Sequence, residues 1–184
     1  HSLFNTAMSF THLHCHSHYS LLDGLSKPEP LVLRAKELGM TSLALTDHGV
    51  MYGAVEFFNL CKENGIKPII GMEAYVAPRS RHDKEGKIDS DYYHLTLLCK
   101  NYKGYENLIK LTSLAHTEGF YYKPRVDHEL LRKHGEGLIA LSGCPRGEIG
   151  RKLLQSETQG REALAEYIDI FGKDKFFYMI YTPI

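Results

Sequence analysis

Four histidines at alternate positions constrain this chain more than any other stretch. They lie in Thr11-His12-Leu13-His14-Cys15-His16-Ser17-His18, and Leu22-Asp23-Gly24 follows. A β-strand sends alternate side chains to one face, so a strand here aims a row of imidazoles in one direction. Neutral imidazole is the commonest metal-ligating side chain near neutral pH. A solvated polar strand could carry the same spacing. Phe10, Leu13 and Cys15 interleave the row with apolar groups, and the 11 histidines of the 184 residues cluster rather than scatter, which favours a metal site.

The residues after this stretch alternate between strand and helix patterns. Pro28 to Gly39 reads as a helix with proline in its first turn and glycine as its stop. Ser42 to Thr46 is a short apolar run of the kind buried on both faces, ending in Asp47-His48-Gly49. Ala54 to Asn64 is a second helix, with Val55, Phe58 and Cys61 on one stripe. Lys67 to Val76 is a strand, Arg79 to Asp91 an exposed charged excursion, and Tyr93 to Cys99 a further strand. Tyr105 to Thr117 is a helix, Gly119 to Val126 is aromatic and basic, and Asp127 caps a short helix through His134. Leu138 to Leu141 is a strand ending in Ser142-Gly143-Cys144-Pro145. Helices at Glu148–Leu154 and Thr158–Phe171 and a strand at Lys175–Tyr181 complete the pattern. Repeated alternation predicts one α/β domain with a parallel sheet. Met8 reads as a native start, so residues 1–9 stand apart from a domain over 10–184.

Charge is balanced, 22 Lys+Arg against 22 Asp+Glu, so no broad basic face for gripping a duplex is expected; a nucleic-acid partner would need a local patch. Cys15, Cys61, Cys99 and Cys144 form no Cys-x-x-Cys pair, which points to a reducing, cytoplasmic setting. No apolar run has the length of a membrane span, and no membrane partner is expected.

The candidate ligands fall at strand ends, where parallel α/β folds build their sites. His14 and His16 end the first strand, Asp23 follows in its loop, His48 ends the second, Glu73 lies near the end of the third, and Cys144 follows the fifth. His94 fits this rule less well, because it begins its strand. A glutamate inside the apolar run around Glu73 is costly to bury unless paired or metal-bound. Asp47 and Asp23 could each be a turn residue, and Cys144 a small buried one. Arg125 and Arg146 could meet phosphates or lie on the surface. His82, His116, His128 and His134 read as solvated or structural. A mixed N/O/S set of more than four ligands exceeds one tetrahedral zinc and implies two or three ions, with Glu73 placed to bridge. Closely spaced divalent ions suit phosphoester hydrolysis.

These residues resemble the PHP (polymerase and histidinol phosphatase) domain family. The resemblance rests on Phe10 to Ser17 with Tyr19-Ser20-Leu21-Leu22-Asp23-Gly24, then Thr46-Asp47-His48-Gly49, Gly65 to Tyr75, Tyr93-His94-Leu95-Thr96, Gly119 to Arg125 and Leu141-Ser142-Gly143-Cys144. The long form around Lys67 to Tyr75 is similar to the branch found at the N-terminus of bacterial replicative polymerases. The resemblance implies a distorted (β/α)7 barrel with a three-metal site, its C-terminal strands missing from this chain. It implies ligand roles for His14, His16, Asp23, His48, Glu73, His94 and Cys144, with Glu73, His48 and Asp23 at the chemistry. His12 and Asp47 are expected just behind the ligands, and His18 outside them. Zinc is the expected ion, with manganese as the alternative. The implied activity is a metal-dependent 3′–5′ proofreading exonuclease acting on primer-template DNA beside the polymerase and other replisome subunits. A stand-alone phosphatase and a non-catalytic scaffold are the rival readings. The family's further Asp-x-His ligand pair has no counterpart after Cys144, and residues after Phe177 leave the family pattern.

Overall fold

A computed structural model describes residues 10–21 and 23–180. In chain order it contains α1 (Pro28–Glu37), β1 (Ser42–Leu45), α2 (Ala54–Glu63), β2 (Lys67–Val76), α3 (Gly86–Ser90), β3 (Tyr93–Cys99), α4 (Tyr102–Thr117), β4 (Arg125–Val126), α5 (His128–His134), β5 (Leu138–Leu141), α6 (Glu148–Gln155), α7 (Glu157–Phe171) and β6 (Phe176–Phe177). The α/β class is as the sequence implies. Asp127 caps α5 by accepting from the Leu130 amide, as expected. Among the described residues the strands run in the order β1-β2-β3-β5-β6, with β4 beside β2, and no pairing joins β1 to β6.

The sheet is mixed rather than parallel. β2 pairs antiparallel with β3, and β3 antiparallel with β5, while the β1–β2, β2–β4 and β5–β6 pairs are parallel. The connection from β2 to β3 carries only the five-residue helix α3 and never crosses the sheet, so the chain returns alongside the strand it left.

Period-two alternation divides the long β2 strand between two environments. Met72, Ala74 and Val76 face the main core with Leu95 and Leu97 of β3, against Leu108, Leu111 and Ala115 of α4. Glu73 and Tyr75 lie on the other face, opposite Thr96 and His94 in register. Further along that face Leu98, Ala44 and Leu141 form a smaller apolar layer.

Four local expectations are corrected. Residues 10–16 bend at Leu13 and His14 and do not form a strand; among the described residues they reach β1 and the residue after it through two backbone bonds, Ala44 N to His12 O and Thr46 N to Cys15 O. The inward face of α2 is Ala54, Phe57 and Cys61, whereas Val55 and Phe58 are exposed, because a stripe set by two aromatics of similar size cannot be phased from sequence. The last strand is confined to Phe176–Phe177, and Tyr181 falls outside the described residues. The segment 79–91 is no free excursion. Asp89 is buried against Arg79, and Arg81 is buried against Asp127, with Glu118 and Glu129 also in contact.

Candidate metal centre

The Glu73 carboxylate is the focus of the site. It is buried, at 1% exposure, and four histidines converge on it. Oε2 lies 3.2 Å from His14 Nε2, 3.1 Å from His16 Nε2 and 2.9 Å from His48 Nδ1, while Oε1 accepts from His94 Nδ1 at 2.8 Å. Burial alone would raise the Glu73 pKa. The contacts with His14, His16, His48 and His94 outweigh that and hold it far below the usual carboxylate range.

Each ligand has a structural reason for its place. His48 sits just past β1, where the Gly49 amide donates to Glu73 O and the Glu73 amide donates to Asp47 O, so the β1 extension runs beside β2. His94 opens its strand, yet the antiparallel direction of β3 brings that opening level with Tyr75 at the end of β2. The rule of strand C-termini fails for His94 because it presumes a parallel sheet. His14 and His16 are held by the loop below them. Asp47 is buried and accepts from the Ser17 amide, Ser17 Oγ and Ser20 Oγ, and Ser20 Oγ in turn accepts from the His48 amide. Asp23, more open to solvent, meets His48 Nε2 at 2.6 Å.

Three sets of side chains bring ligand atoms close enough to share an ion: His14, His16 and Glu73; His16, Asp23 and His48; and His48, Glu73 and His94. His16, His48 and Glu73 each belong to two sets. Ligands at about 2.1 Å from a tetrahedral ion stand roughly 3.4 Å apart. His14 Nε2 and His16 Nε2 are 2.9 Å apart, and both are within 3.2 Å of the same carboxylate oxygen. Two imidazole nitrogens facing each other beside an oxygen are unrewarding as a hydrogen-bond network but natural around a cation. Among the cluster histidines, buried ring nitrogens without a hydrogen-bond partner add to this: His16 Nδ1, His94 Nε2 and His48 Nδ1. The last is 2.9 Å from Glu73 yet off hydrogen-bond geometry. Such orphaned donors and acceptors are rare in folded chains unless something else fills them. The donor set therefore fits divalent metal.

Other expected residues fall differently. Cys144 places Sγ 3.3 Å from His94 Nδ1, at the edge of the cluster and outside the three sets; burial raises its thiol pKa. Burial also pushes Cys15 and Cys61 up to about 11 and Cys99 to about 12, so none of these is a thiolate at neutral pH. His12 does not back the ligands. Its ring is exposed and packs edge-on against Phe10, because Leu13 and His14 turn away from a regular strand. His18 stacks on Tyr19 and joins none of the three sets. Arg125 cannot meet a phosphate: it is fully buried and its guanidinium donates to the carbonyls of Gly119, Asp89, Arg81 and Asp83. Arg146 is exposed, with its guanidinium over the Tyr92 ring.

Sequence reasoning missed the two tyrosines that wall the cluster. Tyr75 stacks on His48 with ring centroids 5.7 Å apart, and Tyr92 stacks on His94 at the same separation. Their signal was position: Tyr75 follows Glu73 by two in a strand, and Tyr92 precedes His94 by two.

Comparison with known proteins gives the family and the fold. The family model described as the PHP domain matches residues 12–181. The chain is 54% identical over 172 residues to the DNA polymerase III subunit alpha of Treponema pallidum, covering 92% of this chain and 15% of that protein. It is 52% identical over 175 residues to the protein of that name from Thermus aquaticus, covering 92% and 14%. The chain thus spans about one-seventh of the length of these relatives. Two solved structures share the fold. One, an amidohydrolase from Chromobacterium violaceum, has a TM-score of 0.55 at 17% identity, over 91% of this chain and 75% of that one. The other, described as a candidate metal-dependent phosphoesterase from Bifidobacterium adolescentis, has a TM-score of 0.51 at 13% identity, over 87% and 84%. With a family model matched along nearly its whole length and a carboxylate-centred histidine cluster in place, the chain belongs to the PHP domain family, in the form shared with DNA polymerase III alpha subunits.

Proposed function

We propose that this chain is the PHP domain of a replicative DNA polymerase III alpha subunit, and that its cluster hydrolyses phosphodiesters as a metal-dependent 3′–5′ proofreading exonuclease. The observation that carries this is the convergence of three histidine nitrogens on one oxygen of the buried Glu73. His14, His16, Asp23, His48, Glu73 and His94 would hold two or three ions, with Cys144 beside His94. Zinc suits a histidine-rich set with a thiol at its edge; manganese is the alternative. Bound ions would supply an activated water at neutral pH and stabilise charge on the phosphoryl oxygens.

The chain's own groups have distinct parts. Glu73 spans the ligand sets through its two oxygens and sets their separation. Asp23 and His48, joined through Nε2 on the open side, would close the ligand set that faces solvent, where the activated water would be held. Asp47 fixes the loop of His14 and His16. Arg146 stands exposed at the rim, where it can meet a substrate phosphate. The substrate would be a primer-template end, the partners the rest of the polymerase and other replisome subunits, and the setting the cytoplasm; no helix among the described residues is long and apolar enough to cross a membrane.

The test uses the full-length polymerase and a primer with a mismatched 3′ end. Glu73→Gln should lower nucleotide release by about a hundredfold or more while primer extension continues. Equal release by wild type and variant would place the nuclease elsewhere. Elemental analysis separates this reading from a scaffold role: substoichiometric metal in the purified protein would favour the scaffold.

A further inference from the structure

The aromatic and basic stretch after α4 has no part in the cluster itself. Residues 119–124 form a tight turn in which the Tyr121 amide donates to Lys123 O. Tyr122 at its tip has φ of 60°, the only positive φ outside glycine among the described residues. A bulky residue in that region is uncommon and persists where the surroundings impose it. The result is an exposed Tyr122, at 69%, near an exposed but less open Phe120.

The turn then reaches back to the metal centre. Lys123 Nζ stands 5.4 Å over the Tyr75 ring, and Tyr75 is the wall of His48. Across the site Arg146 Cζ stands 5.1 Å over Tyr92, the wall of His94. Tyr75 and Tyr92 meet edge to face at 4.8 Å. Two cations therefore flank one tyrosine pair, each a single ring away from a cluster histidine. Among the described residues neither has a carboxylate within salt-bridge distance; Asp91, an acid that feels the charge of Arg146, is itself paired with Arg151. The other seven of the eight arginines all donate to carboxylates or carbonyls; Arg146 alone donates to none among the described residues. Lys123 likewise has no carboxylate within salt-bridge distance among the described residues.

We propose that the turn 119–124 and Arg146 form a binding arm for the unpaired end of a nucleic-acid strand. Lys123 and Arg146 hold backbone phosphates on either side of the cluster, and Tyr122 stacks a base. The substrate class rests on the phosphodiesterase reading above. Stacking on an exposed ring tolerates any base but needs a base free of its duplex, and local cations track the backbone without a broad basic face. The balanced net charge is no obstacle to a patch of this size.

The test is fluorescence anisotropy of a labelled single-stranded oligothymidylate with the 184-residue chain at low salt. Lys123→Gln, Arg146→Gln and Tyr122→Ala should each weaken binding by about tenfold, the first two also flattening the salt dependence. Lys123→Arg should restore affinity, and Lys62→Gln, an exposed change on α2, should leave it unchanged. Circular dichroism melting confirms that each variant is folded. Equal affinity of wild type and the three arm variants, an equal loss in Lys62→Gln, or tighter binding of duplex than single strand overturns the arm. Arm-dependent binding with no nucleotide release by the full-length protein upholds the arm and removes the phosphodiesterase reading instead.

Discussion

Two buried carboxylates show how neighbours decide what a residue does. Glu73 was legible in the sequence, since a glutamate within Ile69-Ile70-Gly71-Met72 and Ala74-Tyr75-Val76 must be satisfied by something. Glu148 was not, because it opens a helix, where acids are common. Yet Glu148 is buried and accepts from His128 Nε2 at 2.9 Å, Tyr167 Oη at 2.7 Å and Lys152 Nζ at 2.5 Å. Burial pushes its pKa up, but His128, Lys152 and Tyr167 bring it down to about 2. A folded pKa below the ordinary value of 4.5 means a contribution fully present above about pH 4.5 and lost as pH falls toward 2. That contribution is on the order of 3 kcal/mol. Urea melts of wild type should therefore lose stability as pH falls from about 4.5 toward 2, and Glu148→Gln should flatten the loss. Parallel curves for the two proteins would assign acid sensitivity to other groups. Arg125 carried the opposite misreading. Sequence offers no way to tell a phosphate-binding arginine from one whose donors are all spent on carbonyls, because the acceptors lie 6 to 44 residues away.

At the scale of elements, strand positions were legible from apolar runs, whereas strand directions were not. Alternation with helices suggested parallel pairing throughout, but the direction of β3 is set by the short α3 connection, and on it depends the meeting of His94 with Glu73. The 79–91 segment was unreadable for a related reason: its charges look solvated until their partners on α5 and around β4 are known. Arg125 fastens this segment to β4 through three of its four carbonyl contacts. Arg125→Met would leave those carbonyls without donors. It should cost about 3 kcal/mol or more and open the segment to protease before the rest of the chain. Limited proteolysis followed by mass spectrometry would read the first cut; a first cut elsewhere would show that the segment is held mainly by Arg79 and Arg81. Close backbone crossing gives a second expectation. A Cβ on Gly104 of α4 would lie 2.0 Å from the Gly137 carbonyl oxygen, so Gly104→Ala should lower Tm despite alanine's better helix propensity, and a raised Tm would show that the crossing yields easily.

For the molecule as a whole, the site is assembled from residues 14 to 94, with Cys144 beside it, and none of its ligand sets is local in sequence. Ions that bind only this assembled arrangement must stabilise the fold. At a hundredfold excess over Kd the gain is about 2.7 kcal/mol, and Tm should rise by several degrees on adding zinc or manganese and fall with a chelator. Glu73→Gln should abolish the shift in differential scanning calorimetry; an unchanged shift would move the ions elsewhere. The family, the class and most of the side chains that converge on Glu73 were legible because each motif is short and chemically distinctive. The tyrosine walls and the 119–124 turn were not, since their meaning lies only in what they approach.

The segment 10–16 lies along the outer edge of β1, tied by the His12 and Cys15 carbonyls. The same segment bears His14 and His16, so an ion bound by them would be tied to the protection of this edge. Losing an ion there would loosen the segment that bonds this edge, and an uncovered strand edge is a template for pairing with another chain. An ion held by His14 and His16 would therefore also guard against aggregation: light scattering should rise after chelation at a temperature where the metal-loaded protein stays clear, and no rise would separate the two roles.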